Sequence, residues 1–142
     1  MTSYRFDLDT AGEGQADGTV AVSLDADWNV DGRILNGGYV QAVAVRAAQS
    51  ALAARGIAGP RVPIAVSTSF AAPAAPGPAT VHVDVLRAGG RLTAVTATVR
   101  QAAGAVSSSL ITFDGGAGGA PAPGPTTPAM PDVTPAAQSI RV

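Results

Sequence analysis

Residues 36–56 read NGGYVQAVAVRAAQSALAARG, and this stretch decides the fold. Apolar residues recur in it at intervals of three and four, which is the period of an amphipathic α-helix. They are Tyr39, Val43, Ala47, Ala51 and Ala54, with Val40, Ala44 and Leu52 on adjoining positions. Asn36 is a suitable N-cap and Gly56 a suitable C-terminal stop. The sequence therefore predicts a helix from Gly38 to about Arg55, whose alanine-rich face packs closely against a sheet.

The sequence on both sides of this helix favours β-strands. Residues 19–25 alternate apolar and polar side chains with a period of two, and residues 4–8 alternate likewise, so the two are expected to pair. After the helix, four strand-like stretches each end in turn residues: 62–70, 80–86, 91–100 and 105–113. Short turns join antiparallel neighbours. The predicted class is α+β, with an antiparallel sheet of five to six strands around one long helix.

Composition excludes several classes of function. The 142 residues include no Cys and one His, so no disulfide and no Cys-based metal site can form. A formal net charge of -1 predicts no general attraction to nucleic acid or to an anionic membrane. The first residues resemble no signal or transit peptide, and no apolar run reaches the ~18 residues of a membrane-spanning helix. We expect a cytoplasmic protein with no metal and no bound cofactor.

The composition changes after Asp114. Residues 115–125 consist of Gly, Ala and Pro, which suit neither a helix nor a central strand. The sequence therefore predicts a domain at residues 1–114 and a Gly/Pro-rich linker and C-terminal tail at residues 115–142. The glycines at 115–119 are followed by no Lys-Ser pair or helix, so they do not predict a phosphate loop.

Four segments in order resemble a known family. They are the run from Trp28 through Gly37-Gly38-Tyr39 into the helix, residues 67–73 (STSFAAP), residues 85–91 (VLRAGGR) and residues 99–101 (VRQ). In this order they resemble the thioesterase-like superfamily with the hotdog fold, and more narrowly the N-terminal hotdog of acyl-CoA thioesterase II-like double-hotdog enzymes. The likeness covers roughly residues 19–114. It implies a curved sheet around the central helix and hydrolysis of an acyl thioester, with coenzyme A as part of the substrate.

The resemblance also implies roles for residues at the helix start. Backbone donors at Asn36, Gly37 and Gly38 would polarise the thioester carbonyl, because glycines let a ligand approach and a helix N-terminus carries partial positive charge. The alternative for these residues is a helix cap alone. Residues 38–55 contain no Asp or Glu, so the family's mid-helix carboxylate has no counterpart. Asp31 is the candidate for the water-activating base, reached across a subunit interface, although an Asp before Gly also suits a turn. Asp27 is a weaker candidate.

Three further residues are assigned to substrate binding. Arg87 and Arg91 flank a Gly-Gly hairpin and could bind the phosphates of coenzyme A, or could be two solvated charges. Tyr39, next to the helix-start glycines, is the third. Other polar residues have simpler interpretations: a turn role for Gln101, an exposed or interface position for His82, and no nucleophile elbow at residues 107–109.

Three functions remain open. The first is an acyl-CoA or acyl-carrier thioesterase that works as a homodimer, with the acyl thioester at a hotdog–hotdog interface. The second is a non-catalytic hotdog half that binds acyl groups or serves structurally, and needs a second repeat for catalysis. The third is a hydratase or dehydratase, which is disfavoured because His82 lies on a late strand and not near the helix. A lone sheet of this kind leaves an edge strand unpaired, so pairing with a second hotdog is expected in either of the first two cases.

Overall fold

A computed structural model describes residues 4–57 and 62–115 of the chain. The elements follow in the order α1 (Arg5–Asp9), β1 (Glu13–Gly14), β2 (Thr19–Leu24), a 3-10 turn (Ala26–Trp28), β3 (Asn29–Val30), β4 (Ile34–Leu35), α2 (Gly37–Ala54), β5 (Pro63–Phe70), β6 (Gly77–Ala88), β7 (Leu92–Gln101) and β8 (Gly104–Asp114). The predicted linker and tail lie outside the described residues except for Gly115.

Six strands form one antiparallel sheet in the order β1-β2-β6-β7-β8-β5. The three hairpin-linked strands β6, β7 and β8 form its centre, and their alternating side chains separate a buried inner face from an outer face. On β7, Val95, Ala97 and Val99 are fully buried, whereas Thr96 and Thr98 between them are partly exposed. The four strands predicted after the helix are confirmed, and β6, β7 and β8 pair as antiparallel neighbours as predicted. The expected pairing of β5 with β6 is wrong, because β5 pairs with β8 at the edge of the sheet.

Helix α2 packs across the inner face of this sheet. Its buried side is made mostly of small residues, which bring the helix backbone close to the strands; these are Tyr39, Val40, Val43, Ala44, Ala47, Ala48, Ala51 and Leu52. Full burial of each larger aliphatic side chain contributes about 1.5–3 kcal/mol, so Val40, Val43 and Leu52 stabilise the contact between helix and sheet. The predicted cap and stop are both confirmed, since Asn36 caps α2 and Gly56 follows it with φ of 70°.

The strand β1 comes closest to the backbone of α2 at Gly14. A β-carbon at Gly14 would lie 2.6 Å from the carbonyl carbon of Ser50 on α2. The Ser50 hydroxyl accepts a 2.8 Å hydrogen bond from Gly14 N and donates one of 2.9 Å to Gly12 O. Glycine at position 14 is therefore required by contact with the helix, and one serine joins β1 to α2.

The prediction of a strand at residues 4–8 is wrong. Residues Arg5–Asp9 form a short helix, and β2 pairs instead with the two-residue strand β1. Aromatic packing and local polar contacts stabilise the helical turn: the Phe6 ring meets Trp28 edge-on at 5.5 Å, and Thr10 Oγ1 donates to Phe6 O at 2.8 Å. Five alternating residues are too few for their period alone to distinguish a strand from one helical turn.

Candidate functional site

The start of α2 offers one backbone amide that its own cap does not use. The Asn36 side-chain oxygen accepts hydrogen bonds from Gly38 N at 2.8 Å and Tyr39 N at 3.3 Å. Val40 N donates to Asn36 O, as the first bond of the helix. Within the described residues, the amide of Gly37 has no hydrogen-bond partner. The three predicted carbonyl-binding residues thus include one available donor, Gly37, and a cap that occupies the amide of Gly38.

Gly37 lies at the edge of a cavity of about 360 Å³, which we call the apolar cavity. It lies between the first turn of α2, strand β4 and the loop after β5, and is lined by Ile34, Leu35, Gly37, Val40, Phe70, Ala71, Ala72, Pro73 and Ala74. All of these side chains are apolar. A β-carbon at Gly37 would lie 3.1 Å from Cζ of Phe70, so the glycine allows the ring to lie over the helix start.

Gly38 borders a second cavity of about 380 Å³ on the solvent-facing side of α2, which we call the helix groove. Its lining includes three polar side chains, Gln41, Arg46 and Gln49, beside Phe6, Gly38, Ala42, Val45 and Pro63. The two glycines therefore separate an apolar cavity from a polar groove at one point of the chain. That arrangement suits a ligand with an apolar end, a carbonyl and a polar end.

Gln41 in the helix groove is held by a chain of hydrogen bonds that reaches into the core. Its Nε2 donates to Thr68 Oγ1 at 2.9 Å, and the Thr68 and Ser109 hydroxyl oxygens are 2.8 Å apart. Since Thr68 accepts from Gln41, its own hydrogen is available for Ser109. The chain fixes the orientation of the Gln41 amide, whose Oε1 has no donor among the described residues. Nearby, the buried hydroxyl of Ser107 has no hydrogen-bond partner in the described part of the chain.

Tyr39 does not line either cavity at the helix start. Its side chain is 3% exposed, and its ring stacks on Trp28 with the centroids 5.3 Å apart. The hydroxyl donates to Asp9 O at 2.8 Å and accepts from Asp25 N at 3.0 Å. Burial raises the pKa of Tyr39 above its usual value. In this chain the residue holds α1 and the β2 end against α2, and its assignment to substrate binding stays a prediction.

The structure does not bring Asp31 to the cavities at the helix start. The residue lies at the tip of the β3–β4 hairpin with φ of 60° and precedes Gly32, which has φ of 80°. Its carboxylate accepts from Arg33 N at 3.4 Å, and the side chain is exposed. The turn interpretation fits this geometry, and a catalytic role across an interface stays a prediction. The weaker candidate, Asp27, is engaged in an ion pair with Arg5.

Arg87 and Arg91 lie together but far from the helix start of the same chain. Both line a cavity of about 790 Å³ at the β6–β7 hairpin, which we call the hairpin cavity; the other lining residues are Ile64, Gly89, Gly90, Leu92 and Asp114. Ile64 is the second residue of β5, whereas Phe70 at the apolar cavity is its last. At about 3.3 Å per residue, the two cavities are about 20 Å apart along that strand.

The sequence matches the family of acyl-CoA thioesterase N-terminal domains over residues 24–114. The chain belongs to this family. The match takes in the apolar cavity, the hairpin cavity and all of the helix groove except Phe6. This confirms the family inferred from the four segments of sequence.

Solved structures of similar shape agree. A proposed thioesterase II from Thermobifida fusca YX is 28% identical, with a TM-score of 0.68 over 80% of this chain and 40% of that one. A hotdog-fold protein of unknown function from Alicyclobacillus acidocaldarius is 24% identical, with a TM-score of 0.70 over 96% and 48% of the two chains. The chain therefore spans less than half the length of these two proteins. A search of curated proteins found no match.

One similar structure contains coenzyme A. It is a hypothetical thioesterase from Streptococcus pneumoniae TIGR4, 14% identical to this chain, with a TM-score of 0.63 over 73% of this chain and 83% of that one. At this identity the likeness concerns the fold alone. Together these likenesses establish the hotdog fold for this thioesterase domain.

Gln101 in this thioesterase domain acts on a loop. Its side-chain amide pairs with the backbone of Ala75: Nε2 donates to Ala75 O at 2.8 Å, and Oε1 accepts from Ala75 N at 3.0 Å. Both polar atoms are used, which leaves none to orient water. The predicted turn position is wrong, because Gln101 is the last residue of β7 and its side chain holds the loop after β5 instead. His82 is exposed on the outer face of β6, as expected.

The polar chain from Gln41 to Ser109 was missed by sequence reasoning. Gln41 is three residues after Gly38 and so shares its side of the helix. Thr68 has the same strand phase as Val66 and Phe70 on β5, which points it inward. The sequence shows these two positions, but it does not show that the helix and the strand are in contact there.

Two other features of this thioesterase domain concern metals and membranes. Within residues 4–57 and 62–115, no three Asp, Glu or His side chains are grouped so that they could hold a metal ion. The helices in the same ranges are too short or too polar to span a membrane.

Proposed function

We propose that this chain hydrolyses acyl thioesters of coenzyme A or of an acyl carrier, at a site completed by a second hotdog. The observation that carries the proposal is the position of Gly37 and Gly38 between an apolar cavity and a polar groove. A thioester has the same three parts in the same order: an apolar acyl group, a carbonyl and a polar carrier arm. Membership of the acyl-CoA thioesterase N-terminal domain family supports this class of substrate.

In the proposed reaction the Gly37 amide donates to the thioester carbonyl oxygen. Negative charge grows on this oxygen when water attacks, and a backbone donor at a helix N-terminus stabilises it. Water forms a bond to the carbonyl carbon and the carbon–sulfur bond breaks. The base accepts the proton that water loses and passes it to the leaving thiolate, so the products are a carboxylic acid and a thiol.

Gln41 is proposed to orient the attacking water. Its Oε1 is held in the helix groove by the bond from Nε2 to Thr68, and an amide oxygen can fix a water for in-line attack without acting as a base. The base itself is assigned to Asp31, the exposed carboxylate of the hairpin that precedes the helix start, since α2 carries no acidic residue.

The unpaired edge of β5 is the proposed contact with the second hotdog. No strand of the described residues pairs with its free side, and two of its apolar side chains remain largely in solvent: Ile64 is 58% exposed and Phe70 52%. An exposed eight-residue edge is a template for another strand. If two copies of β5 pair antiparallel about a two-fold axis, the Ile64 end of one lies beside the Phe70 end of the other.

This pairing would bring Arg87 and Arg91 of one copy to the helix start of the other. The hairpin cavity adjoins the Ile64 end, and the apolar cavity adjoins the Phe70 end. The arginines could then bind the phosphates of coenzyme A while its thioester lies at Gly37. A site that combines residues of two chains would thus account for the separation of about 20 Å between the apolar cavity and the hairpin cavity of one chain.

Complementation between variants tests the shared site. One copy carries Asn36→Asp, which places a negative charge at the carbonyl site, and the other carries Arg87→Ala with Arg91→Ala. Each variant alone is expected to hydrolyse acyl-CoA poorly. In a 1:1 mixture with random pairing, half of the dimers are mixed and each has one intact site, so about a quarter of wild-type activity returns. If the mixture is no more active than its components, the shared site is wrong.

Association is tested separately by the mass of the particle in solution. Ile64→Lys places a charge on the β5 edge and is expected to shift dimers to monomers. Leu110→Lys is the matched control, because Leu110 is also half exposed but lies on the outer face of the inner strand β8. A wild-type chain that remains monomeric at high concentration contradicts the homodimer.

The second candidate is a non-catalytic hotdog half. It is favoured by the absence of Asp and Glu from α2. Hydrolysis assays with short, medium and long acyl-CoAs decide between the two. Activity that is lost in Asp31→Asn supports a self-sufficient dimer, whereas binding without hydrolysis of any thioester supports the half that needs a different repeat.

A further inference from the structure

The wall of the apolar cavity is held in place by hydrogen bonds from three strands. Residues 71–74 supply this wall, and the chain there is fixed at three points. Ala71 N and Ala72 N both donate to Val106 O at 2.8 and 3.2 Å, Leu35 N donates to Ala74 O at 3.0 Å, and Gln101 holds the backbone of Ala75. A loop fixed by bonds to β4, β7 and β8 keeps a constant distance from the helix.

The cavity has the chemistry of a binding site for an alkyl group. Its side chains are all apolar, and its volume falls within the range of about 300–1,000 Å³ that small-molecule sites occupy. Leu35, Val40 and Ala74 are buried beneath it, whereas Ile34 and Phe70 are partly exposed at its rim. The Gly37 amide lies at its edge, and this donor complements a carbonyl oxygen.

We propose that the acyl chain of the thioester lies in this single-chain cavity, with Gln101 as the positioning residue that fixes the wall formed by residues 71–74. The inference rests on the proposed function for the presence of the thioester, and it adds where the acyl group lies and what limits its length. The second hotdog then contributes to the carrier arm and the water, and the chain's own loop sets acyl selectivity. A cavity whose side chains are all apolar fits the saturated alkyl part of an acyl group.

Binding of inert analogues tests the cavity without requiring hydrolysis. Thioether analogues of coenzyme A carrying ethyl, butyl, hexyl, octyl and dodecyl groups are titrated into the full chain by calorimetry. Each methylene that enters the cavity is expected to tighten binding about fourfold, which corresponds to about 0.8 kcal/mol per buried CH₂. The increase stops at the length that fills the cavity.

Variants of the cavity lining give the decisive comparison. Ala72→Leu fills part of the cavity and should move the stopping point to a shorter chain, and Ile34→Ala should move it to a longer one. Ala75→Leu is the matched control, since Ala75 lies in the same exposed loop but outside the lining. Gln101→Leu releases the wall and should reduce the preference between lengths, with similar affinity for the ethyl analogue.

The outcomes separate this inference from the proposed function. Affinities independent of chain length, a stopping point that Ala72→Leu does not move, or no binding of any analogue would each overturn the acyl cavity. Length-dependent binding that shifts as described, with no hydrolysis of any acyl-CoA, would support the cavity and contradict the thioesterase. Hydrolysis with a chain-length profile that Ala72→Leu and Ile34→Ala leave unchanged would support the thioesterase and contradict the acyl cavity.

Discussion

Asn36 Oδ1 lies 2.8 Å from the amide nitrogen of Gly38, so the side chain that caps α2 occupies an amide that a bound carbonyl could also use. The cap leaves only Gly37 of the two glycines with a backbone donor available among the described residues. The Asn36 side chain therefore affects both helix stability and carbonyl binding. A substitution that keeps the cap but changes its charge can separate the two effects.

Asn36→Asp is expected to keep the fold and lose activity. Asp caps helices as well as Asn does, so the free energy of unfolding should change by less than about 0.5 kcal/mol. Its negative charge faces the place where an oxyanion would form, so kcat for acyl-CoA should fall by at least about tenfold. Asn36→Ser is the neutral control and should retain most of the activity. Equal activity of the Asp and Ser variants, measured beside urea unfolding curves, would contradict carbonyl binding at this helix start.

Gly14 and Gly37 should respond differently to alanine. A β-carbon at Gly14 would meet the Ser50 backbone at 2.6 Å, and neither the strand nor the helix can move away, so Gly14→Ala should destabilise the domain by about 1–3 kcal/mol. At Gly37 the contact is the end of the half-exposed Phe70 ring, and alanine is the better helix former, so Gly37→Ala should change stability by less than about 1 kcal/mol. Thermal unfolding of both variants checks this, and a larger loss at Gly37 would mean that the Phe70 ring is fixed.

How much the sequence could predict depended on how local the determining interaction was. Helix α2 was predicted to within one residue at each end, because Asn36, Gly56 and the alanine spacing lie within one continuous segment. The strands from β5 to β8 followed in the same way from turns and alternation. At residues 4–8 the local pattern was wrong, since Phe6 takes its place by packing on Trp28, a contact across more than twenty residues of chain.

The candidate site was less predictable, because it depends on which residues meet. The sequence identified Asn36, Gly37 and Gly38 as a helix start, but not that Asn36 would occupy the Gly38 amide. It grouped Arg87 and Arg91 with them, yet the two sets lie at opposite ends of β5. Gln41, Thr68 and Gln101 gain their roles from contacts between distant segments, which no spacing along the chain records.

Ser107 and Ser109 are a matched pair for the cost of buried hydroxyl groups. Both side chains are 1% exposed on the inner side of β8. Ser109 Oγ is bonded to Thr68, and Ser107 Oγ has no partner within the described residues. Ser107→Ala removes a desolvated hydroxyl at no loss of a bond, so stability should rise by up to about 1 kcal/mol, whereas Ser109→Ala should lower it by about 1–3 kcal/mol. Equal losses in urea unfolding would show that Ser107 has an unrecognised partner.

Tyr39→Phe tests whether Tyr39 serves stability or substrate. Loss of its hydroxyl leaves Asp25 N and Asp9 O without their bonds, which should cost about 1–3 kcal/mol in unfolding free energy. Because burial raises the pKa of Tyr39 in the folded chain, the unfolded chain releases the proton first as pH rises. The unfolded state then binds fewer protons, so this contribution to stability is present below about pH 10 and declines as pH rises toward the folded pKa.

The pH dependence distinguishes the effect of Tyr39 from other causes of reduced stability at alkaline pH. Urea unfolding between about pH 8 and about pH 11 should show a steeper decline in the wild type than in Tyr39→Phe. Tyr4→Phe is the control, since Tyr4 is 78% exposed and should keep the wild-type slope. If Tyr39 serves stability alone, KM for acyl-CoA is unchanged in Tyr39→Phe at temperatures where the variant stays folded. A raised KM with an unchanged pH slope would instead indicate that Tyr39 contacts the substrate, after pairing with the second hotdog has changed the conformation of the helix start.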